Sequence, residues 1–179
     1  MLKHLYEKTM STETIYEGKV IDVHVDEVEL PDGSKSKREI VRHPGAVAVI
    51  AKTEDNKYLF VRQFRKPLDR TIIEIPAGKL EKGEDPAETA KRELLEETGY
   101  RCKSVKHIVS FYTSPGFADE RIHLYFASGL TAGTQLTDAD EFLDVLELTL
   151  EEAEDYVRKR EIYDAKTLYA VLYLRQMGA

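Results

Sequence analysis

The sequence predicts an α+β protein in which helices and strands pack in layers. Three observations support this class: several short apolar segments of strand length, one helical segment between them, and a helical C-terminal region. Many strands with one central helix and a C-terminal helical pair are typical of α+β or α/β/α architectures. The 179 residues are enough for one domain with a sizeable core.

The N-terminal part of the chain predicts an antiparallel pair of strands. Residues 18–30 alternate in part between apolar and polar side chains, and Pro31-Asp32-Gly33 is a turn signal. Residues 37–43 then form the returning strand. We therefore expect residues 1–43 to be a β arm and residues 44–179 to be the main domain. The arm could be a semi-independent sheet or a dimerisation arm, and its small size, which looks insufficient for a core of its own, favours dimerisation.

The main domain is predicted to contain six further strands. They span, in order, residues 45–52, 57–64, 72–76, 103–112, 121–128 and 142–148. Each is a short run rich in apolar residues, and turn-forming residues separate several of them. A loop that contains Pro and Gly, residues 113–120, joins the fourth of these strands to the fifth.

Three helices are predicted from their capping residues. Asp85 is a good N-cap for the central helix, Glu88 follows three residues later as in a capping box, and Gly99 suits the C-terminal stop. Residues 149–152, Thr-Leu-Glu-Glu, form a capping box that opens a second helix. Asp164 is expected to cap a third helix.

The central helix and the loop before it carry four carboxylates, Glu84, Glu93, Glu96 and Glu97. The last three are spaced by three and four residues, so they project from neighbouring positions on the helix. Like charges this close would push some groups to protonate, and a divalent cation removes that conflict. Oxygen ligands suit Mg²⁺ or Mn²⁺ better than zinc. The alternative is a solvated acidic helix face whose carboxylates bind no cation.

The composition excludes several classes of function. The net charge of −7 argues against nucleic acid or an anionic membrane as the main partner. Cys102 is the single cysteine, so the chain forms no internal disulfide and fits a reducing cytoplasm. The N-terminus is too polar for a signal peptide, and no apolar run reaches membrane-spanning length.

Residues 78–100 resemble the Nudix box. The matching residues of that pattern are Gly78, Glu84, Arg92, Glu93, Leu94, Glu96, Glu97 and Gly99, and Tyr100 is aromatic where an aliphatic residue is usual. The resemblance implies a Nudix fold, an α/β/α sandwich with a mixed sheet, with additional antiparallel strands at the N-terminus. It also implies metal-assisted hydrolysis of a nucleoside diphosphate that is linked to another group.

Segments outside the box resemble the ADP-ribose pyrophosphatases, and most closely the short bacterial enzymes of the Bacillus type. The segment Ser114-Pro115-Gly116-Phe117 places Pro115 15 residues after Tyr100, the offset of a marker proline in that subfamily. Residues 63–65, 74–80 and 138–142 also match. This resemblance implies ADP-ribose as the substrate, AMP and ribose 5-phosphate as the products, and a homodimer that exchanges its N-terminal strands.

The resemblance further implies roles for individual residues. Glu93 and Glu97, followed by Glu96, would be the metal ligands, and Ala77 would add a backbone carbonyl. The cofactor would be Mg²⁺, for which Mn²⁺ could substitute. Glu141 would be the general base, and Glu97 or Glu96 is the alternative for that role.

The implied substrate contacts lie at both sides of the box in the sequence. Arg65 would grip the pyrophosphate, or it is a surface charge in a basic cluster. Arg38 and Glu39 would contact adenine, partly across the subunit interface. Ser114, Gly116 and Glu120 could line the terminal ribose or the metal site.

Two other functions stay open at this stage. One is a Nudix pyrophosphatase that acts on another substrate, such as a different ADP-sugar, a dinucleotide or a damaged nucleotide. The other is a Nudix module without catalysis that binds a ligand or a protein. A silent module would be expected to have lost box glutamates, and this chain keeps them all.

Overall fold

The computed structural model describes residues 2–136 and 142–178. The chain divides into two compact units, one of residues up to Gly45 with Phe111–Arg121, the other of Ala46–Ser110 with Ile122 onward. In chain order the elements are β1 (Lys8–Glu17), β2 (Asp22–Glu29), β3 (Lys35–Arg42), β4 (Ala46–Ala51), β5 (Tyr58–Arg65), β6 (Arg70–Glu74), β7 (Ala77–Lys79), α1 (Pro86–Thr98), β8 (Tyr100–Tyr112), β9 (Arg121–Ala132), β10 (Leu143–Leu148), α2 (Leu150–Arg158) and α3 (Ala165–Gln176).

The first unit is built on a three-stranded antiparallel sheet in the order β1-β2-β3. The sequence pattern did not predict β1, because all ten of its residues are exposed and no alternation of apolar side chains marks it. Residues 18–21, predicted as strand, instead connect β1 to β2, and the Gly18 N–H donates to the carbonyl of Ile21 at 3.1 Å. β3 is predicted correctly to within two residues.

The second unit contains two sheets. One has the order β7-β4-β9-β8, and within it β4 and β9 run parallel while β4 and β7 run antiparallel. The other is antiparallel and has the order β10-β5-β6. The mixed sheet together with three helices confirms the predicted α+β class. The buried apolar cluster of this unit contains Val47, Val49, Ala51, Leu59, Ala90, Leu94, Tyr125 and Ala127.

Helix α1 begins and ends at the residues that the sequence indicates. The Asp85 carboxylate accepts the N–H groups of Ala87 and Glu88. Gly99 ends the helix with φ +75°, a left-handed backbone conformation that glycine adopts without steric strain because it has no Cβ. The predicted capping box is only half formed, because the Glu88 carboxylate pairs with Lys91. The apolar stripe of α1 packs against the sheet and thereby fixes which face carries the glutamates.

The two C-terminal helices begin at their predicted caps. Thr149 and Glu152 form a reciprocal capping box at α2, and the Asp164 carboxylate accepts the Thr167 N–H at α3. The first turn of α3 is also fastened to the strand region after β6, because the buried Thr167 hydroxyl accepts the Ile75 N–H at 3.1 Å. Among the described residues, no helix is long and apolar enough to cross a membrane.

Candidate functional site

Arg92 gathers three of the four predicted glutamates at the α1 face. Its Nε and Nη2 donate to the two Glu84 oxygens, both at 3.1 Å, in a bidentate pair. Its Nη1 donates to Glu93 at 3.0 Å and to Glu96 at 2.8 Å. Because one nitrogen contacts both Glu93 and Glu96, their carboxylates lie side by side. The structure therefore concentrates negative charge at one place and holds it with a single guanidinium.

The fourth glutamate points toward the strand that precedes the helix. Glu97 is buried, and its Oε2 accepts the backbone N–H of Ala77 at 3.0 Å. β7, which contains Ala77, is held in turn by antiparallel pairing with β4. The sequence-predicted residues Ala77 and Glu97 are thus brought together from positions 20 residues apart.

Gly78 leaves the space that the Glu93 carboxylate occupies. A Cβ built on Gly78 would stand 1.9 Å from Cδ of Glu93 and 2.1 and 2.2 Å from its two oxygens. No side chain fits at that distance. This contact explains in physical terms why glycine stands at the start of the box, a role that spacing alone did not reveal.

The charges of this cluster stabilise one another. The hydrogen bond from Arg92 is the largest influence on Glu84 and lowers the pKa of its carboxyl, although burial acts in the opposite direction. The same hydrogen bond raises the pKa of Arg92, and the charges of Glu93 and Glu96 add to that effect. The cluster therefore keeps Glu84 ionised at neutral pH.

The donor atoms fit a hard divalent cation. All the candidate side-chain ligands are carboxylate oxygens, which Mg²⁺ prefers, and three of them are crowded around one guanidinium. In residues 2–136 and 142–178, however, no three His, Cys, Asp or Glu side chains already converge as a metal-binding group. Arg92, rather than a common point between the carboxylates, is the partner toward which Glu84, Glu93 and Glu96 turn.

Arg65 lies at the end of β5, next to a buried carboxylate. Its Nε donates to Glu74 at 2.6 Å, and Glu74 is 3% exposed. Burial lowers the pKa of Arg65, but the hydrogen bond and charge of Glu74, together with the charges of Glu97 and Asp164, outweigh it and raise the pKa. Arg65 therefore stays protonated, and its charge interacts with that of Glu97.

Glu74 also accepts a bond from Lys166 of α3, at 2.5 Å. Sequence reasoning gave neither Glu74 nor Lys166 a role. A signal was present for Glu74, because a lone carboxylate between Ile73 and Ile75 in an apolar strand needs a buried partner. No signal identified Lys166 as that partner.

The residues predicted to contact adenine lie in the first unit. Arg38 makes a bidentate pair with Glu7, in which Nε donates at 2.8 Å and Nη2 at 2.5 Å. Glu39 follows it on β3 and is exposed. Successive side chains of a strand point to opposite faces, so Arg38 and Glu39 face different sides of their sheet.

The predicted loop 113–120 also belongs to the first unit. The carbonyl of Ser114 accepts the N–H groups of Phe117 and Ala118, and no atom lies within 4 Å of a Cβ built on Gly116. Glu120 accepts the Thr113 hydroxyl at 2.6 Å. These contacts form a tight turn that leaves Gly116 open.

Glu141, the predicted general base, lies outside the described residues.

Comparison with known protein families and proteins gives matches along the whole chain. The model of the NUDIX domain matches residues 41–169, and that of the nucleoside diphosphate sugar hydrolase N-terminal domain matches residues 7–41. The ADP-ribose pyrophosphatase of Bacillus subtilis is 58% identical over 176 residues, which are 97% of this chain and 95% of that protein. The methanol dehydrogenase activator of Bacillus methanolicus is 59% identical over 181 residues, which are 100% and 98% of the two chains.

More distant matches extend the comparison. A GDP-mannose pyrophosphatase of Cronobacter sakazakii is 33% identical over 164 residues, with 82% of this chain and 85% of that protein covered. A crystal structure of an ADP compounds hydrolase superimposes with a TM-score of 0.85 over 97% of this chain and 95% of that one, at 18% identity. At that identity the structural likeness concerns the fold alone.

Proposed function

The chain belongs to the Nudix hydrolase family, and we propose that it hydrolyses the pyrophosphate of ADP-ribose to AMP and ribose 5-phosphate. The observation that carries this choice of substrate is the 58% identity, over 97% of the chain, to an ADP-ribose pyrophosphatase. In the reaction water adds its oxygen to one phosphorus, and the bond from that phosphorus to the bridging oxygen breaks.

The α1 face supports the cofactor part of the proposal. Nudix hydrolases depend on a divalent metal, and Mg²⁺, for which Mn²⁺ could substitute, suits the carboxylates best. Glu93, Glu96 and Glu97 would hold it, together with the carbonyl of Ala77. When bound, the cation would neutralise charge on the phosphates and lower the pKa of a water. The crowding of Glu93 and Glu96 on one guanidinium nitrogen supports this set.

Residues of the chain itself would bind the substrate and move the proton. Glu141 would take the proton of the attacking water as general base, with Glu97 or Glu96 as the alternative. Arg65 would bind the pyrophosphate oxygens, for which a guanidinium is well shaped. Its charge is secured by Glu74.

Residues of the first unit would bind the two ends of the substrate. Arg38 and Glu39 would contact adenine. Because their side chains point to opposite faces of β3, contact with one adenine would be simplest if a second subunit contributes one of them. Ser114, Gly116 and Glu120 would line the terminal ribose or the metal site. The open space at Gly116 supports close approach of a ligand there.

A homodimer is part of the proposal, with the N-terminal strands exchanged between subunits. All ten residues of β1 are exposed in the single chain, including Met10, Ile15 and Tyr16. Apolar side chains gathered on one strand favour burial against a partner. The test is the mass in solution by light scattering. A dimer supports the proposal, and a mass matching 20.5 kDa at micromolar concentration refutes it.

A cytoplasmic location is also proposed. The chain has a single cysteine, Cys102, and so forms no internal disulfide, which suits a reducing compartment.

The substrate is tested with purified protein, Mg²⁺ and a panel at equal concentrations: ADP-ribose, another ADP-sugar, GDP-mannose and a nicotinamide dinucleotide. Products are separated by ion exchange. AMP and ribose 5-phosphate formed fastest from ADP-ribose support the proposal. Faster cleavage of another panel member replaces the substrate and keeps the chemistry. No hydrolysis with either Mg²⁺ or Mn²⁺ points to a binding module.

A second candidate function comes from the relative named as a methanol dehydrogenase activator, which is 59% identical over the full chain. The protein would then stimulate a dehydrogenase of that kind. The test adds wild-type protein and Glu97→Gln, at equal concentrations, to a methanol dehydrogenase assay with Mg²⁺. Stimulation by wild type alone would tie activation to hydrolysis, stimulation by both would make it a binding effect, and no stimulation would reject this candidate.

A further inference from the structure

Glu74 is a buried carboxylate that lies between two cations from distant parts of the chain. One oxygen accepts Arg65 Nε at 2.6 Å, and the other accepts Lys166 Nζ at 2.5 Å. The Glu74 side chain is 3% exposed and that of Lys166 is 10% exposed. A carboxylate this deeply buried stays ionised only when such partners compensate its charge.

Helix α3 fixes the position of Lys166. Asp164, the N-cap of the helix, accepts Lys166 Nζ at 2.9 Å and the Thr167 N–H at 3.2 Å. Thr167 in turn binds the backbone beside Glu74, through the Ile75 N–H. Two carboxylates and two cations therefore form a neutral cluster, and the backbone on both sides of the Glu74–Lys166 contact is anchored.

Arg65 is the only member of this cluster with substantial exposure. Its side chain is 39% exposed, while Glu74, Lys166 and Asp164 are buried or nearly so. The bond to Glu74 uses Nε, so it does not occupy the Nη1 and Nη2 groups, which form the outer edge of the guanidinium. The charge of Glu97, one of the box glutamates on α1, also contributes to the raised pKa of Arg65.

We infer that Lys166 and Glu74 are positioning residues that hold the Arg65 guanidinium with its outer edge turned toward the diphosphate of the substrate, an inference that rests on the function proposed above. Lys166 occupies one Glu74 oxygen and so limits Arg65 to the other. Without Lys166, both oxygens of Glu74 are available to Arg65. A bidentate pair then forms, as carboxylates and guanidinium groups favour, and its N–H groups are withdrawn from the ligand.

The alternative is that Glu74 and Lys166 only stabilise the fold. The two readings differ in one measurable respect. A positioning role acts through Arg65, so removal of Lys166 has no further effect on ligand affinity once Arg65 is gone. A purely structural role has no such dependence, and the effects of the two substitutions add.

The experiment measures the dissociation constants of ADP-ribose and ADP by calorimetry in EDTA, so that no turnover intervenes. Lys166→Met removes the charge and keeps most of the side-chain length. We expect it to weaken binding of both ligands about tenfold, the loss typical of a charge-assisted contact. In an Arg65→Met background, Lys166→Met should change affinity less than about twofold. Additive losses in this cycle would overturn the inference.

Glu161→Gln is the matched control. It breaks the ion pair from Arg62, also on β5, to the segment just before α3, at 3.2 Å. Arg62 and Arg65 are three residues apart on a strand, so their side chains leave it on opposite faces. Glu161→Gln should leave both dissociation constants unchanged. A loss equal to that of Lys166→Met would show a general loosening of the region and would also overturn the inference.

The double variant Glu74→Gln/Lys166→Met covers the case in which a single substitution prevents folding. Replacing both charges of a buried pair removes the unpaired ion, and such replacements are usually tolerated. The double variant should fold and still bind ADP about tenfold more weakly, because Arg65 has lost its ionic anchor. If this variant binds ADP with wild-type affinity, Glu74 and Lys166 contribute to stability alone and the inference is overturned.

Failure of the proposed substrate gives a different pattern from failure of this inference. If the wild-type protein binds ADP but not ADP-ribose, the substrate is wrong and the ADP cycle still decides the role of Lys166. If wild type binds neither ligand in EDTA and does not bind ADP in Mg²⁺ either, Arg65 is not part of a diphosphate site and the inference is overturned directly.

Discussion

Replacement of Gly78 by Ala tests whether the position of the Glu93 carboxylate governs activity. The new Cβ would stand 1.9 Å from Cδ of Glu93, and ordinary contact begins at 3.4 Å, so the carboxylate has to move by about 1.5 Å. A displacement of this size at a reacting centre typically costs about 10²-fold in rate. We therefore expect kcat/KM for ADP-ribose to fall about 100-fold, which corresponds to about 2.7 kcal/mol of transition-state stabilisation.

The same substitution should cost little stability. Glu93, which is 14% exposed, would give up its contact with Arg92, but Arg92 keeps its bonds to Glu84 and Glu96, so we expect the loss of one hydrogen bond, about 1 kcal/mol. The assay combines steady-state kinetics with thermal unfolding of the same samples.

Gly33→Ala is the control, and we expect it to lower stability without lowering activity. Gly33 has φ +84° and open space around it, so the substitution costs about 1–2 kcal/mol of strain and places no atom near a glutamate. It should lower the melting temperature and leave kcat/KM unchanged. Wild-type kcat/KM in folded Gly78→Ala would refute the reasoning, because the glutamate could then move without consequence.

Three further predictions concern single carboxylates. Glu97→Gln should keep the fold and lose about 10²–10³-fold in kcat, since it removes only a charge, and surviving turnover would reject Glu97 as a ligand. Glu141→Gln should lower kcat more than it raises KM, and an unchanged kcat would move the base to a box glutamate. Burial raises the pKa of Asp119, but the Arg42 hydrogen bond and the His43 N–H outweigh it and lower the pKa. Asp119 therefore stabilises the fold above its unfolded pKa of about 4, and that contribution disappears as the pH falls through the lowered folded pKa. The stability difference between wild type and Asp119→Asn should be constant from pH 7 to pH 5 and shrink below about pH 4 in urea titrations; a constant difference down to pH 3 would contradict the assignment.

Local chemistry made the central helix predictable. Asp85 and Gly99 mark its ends through backbone hydrogen bonds and a left-handed turn, and both are decided by residues within one turn of the helix. The grouping of Glu93 and Glu96 follows from helical periodicity in the same way. Features that depend on neighbours in sequence could therefore be predicted from the sequence.

Features that depend on distant partners could not. β1 has no buried residue, so its pairing with β2 rests on backbone hydrogen bonds and on polar side-chain bonds such as those from Thr9 and Thr12 to Asp26, and no alternation of apolar residues marks it. Arg65 could be predicted as a phosphate ligand or a surface charge. Its contact with Glu74 could not, because Glu74 is also paired with Lys166, which lies 92 residues further along the chain.

The separation between Glu74 and Lys166 has a consequence for biosynthesis. Translation releases β5, β6 and α1 well before α3, because the chain leaves the ribosome from its N-terminus. During that interval Glu74 has only Arg65 as its cation, and the guanidinium edge that we propose for diphosphate binding would not yet be set. On this proposal, ligand binding would be acquired only once α3 has been made and has docked. A chain cut short before residue 164, by interrupted translation or by a protease, would carry the complete glutamate helix and still bind its substrate poorly.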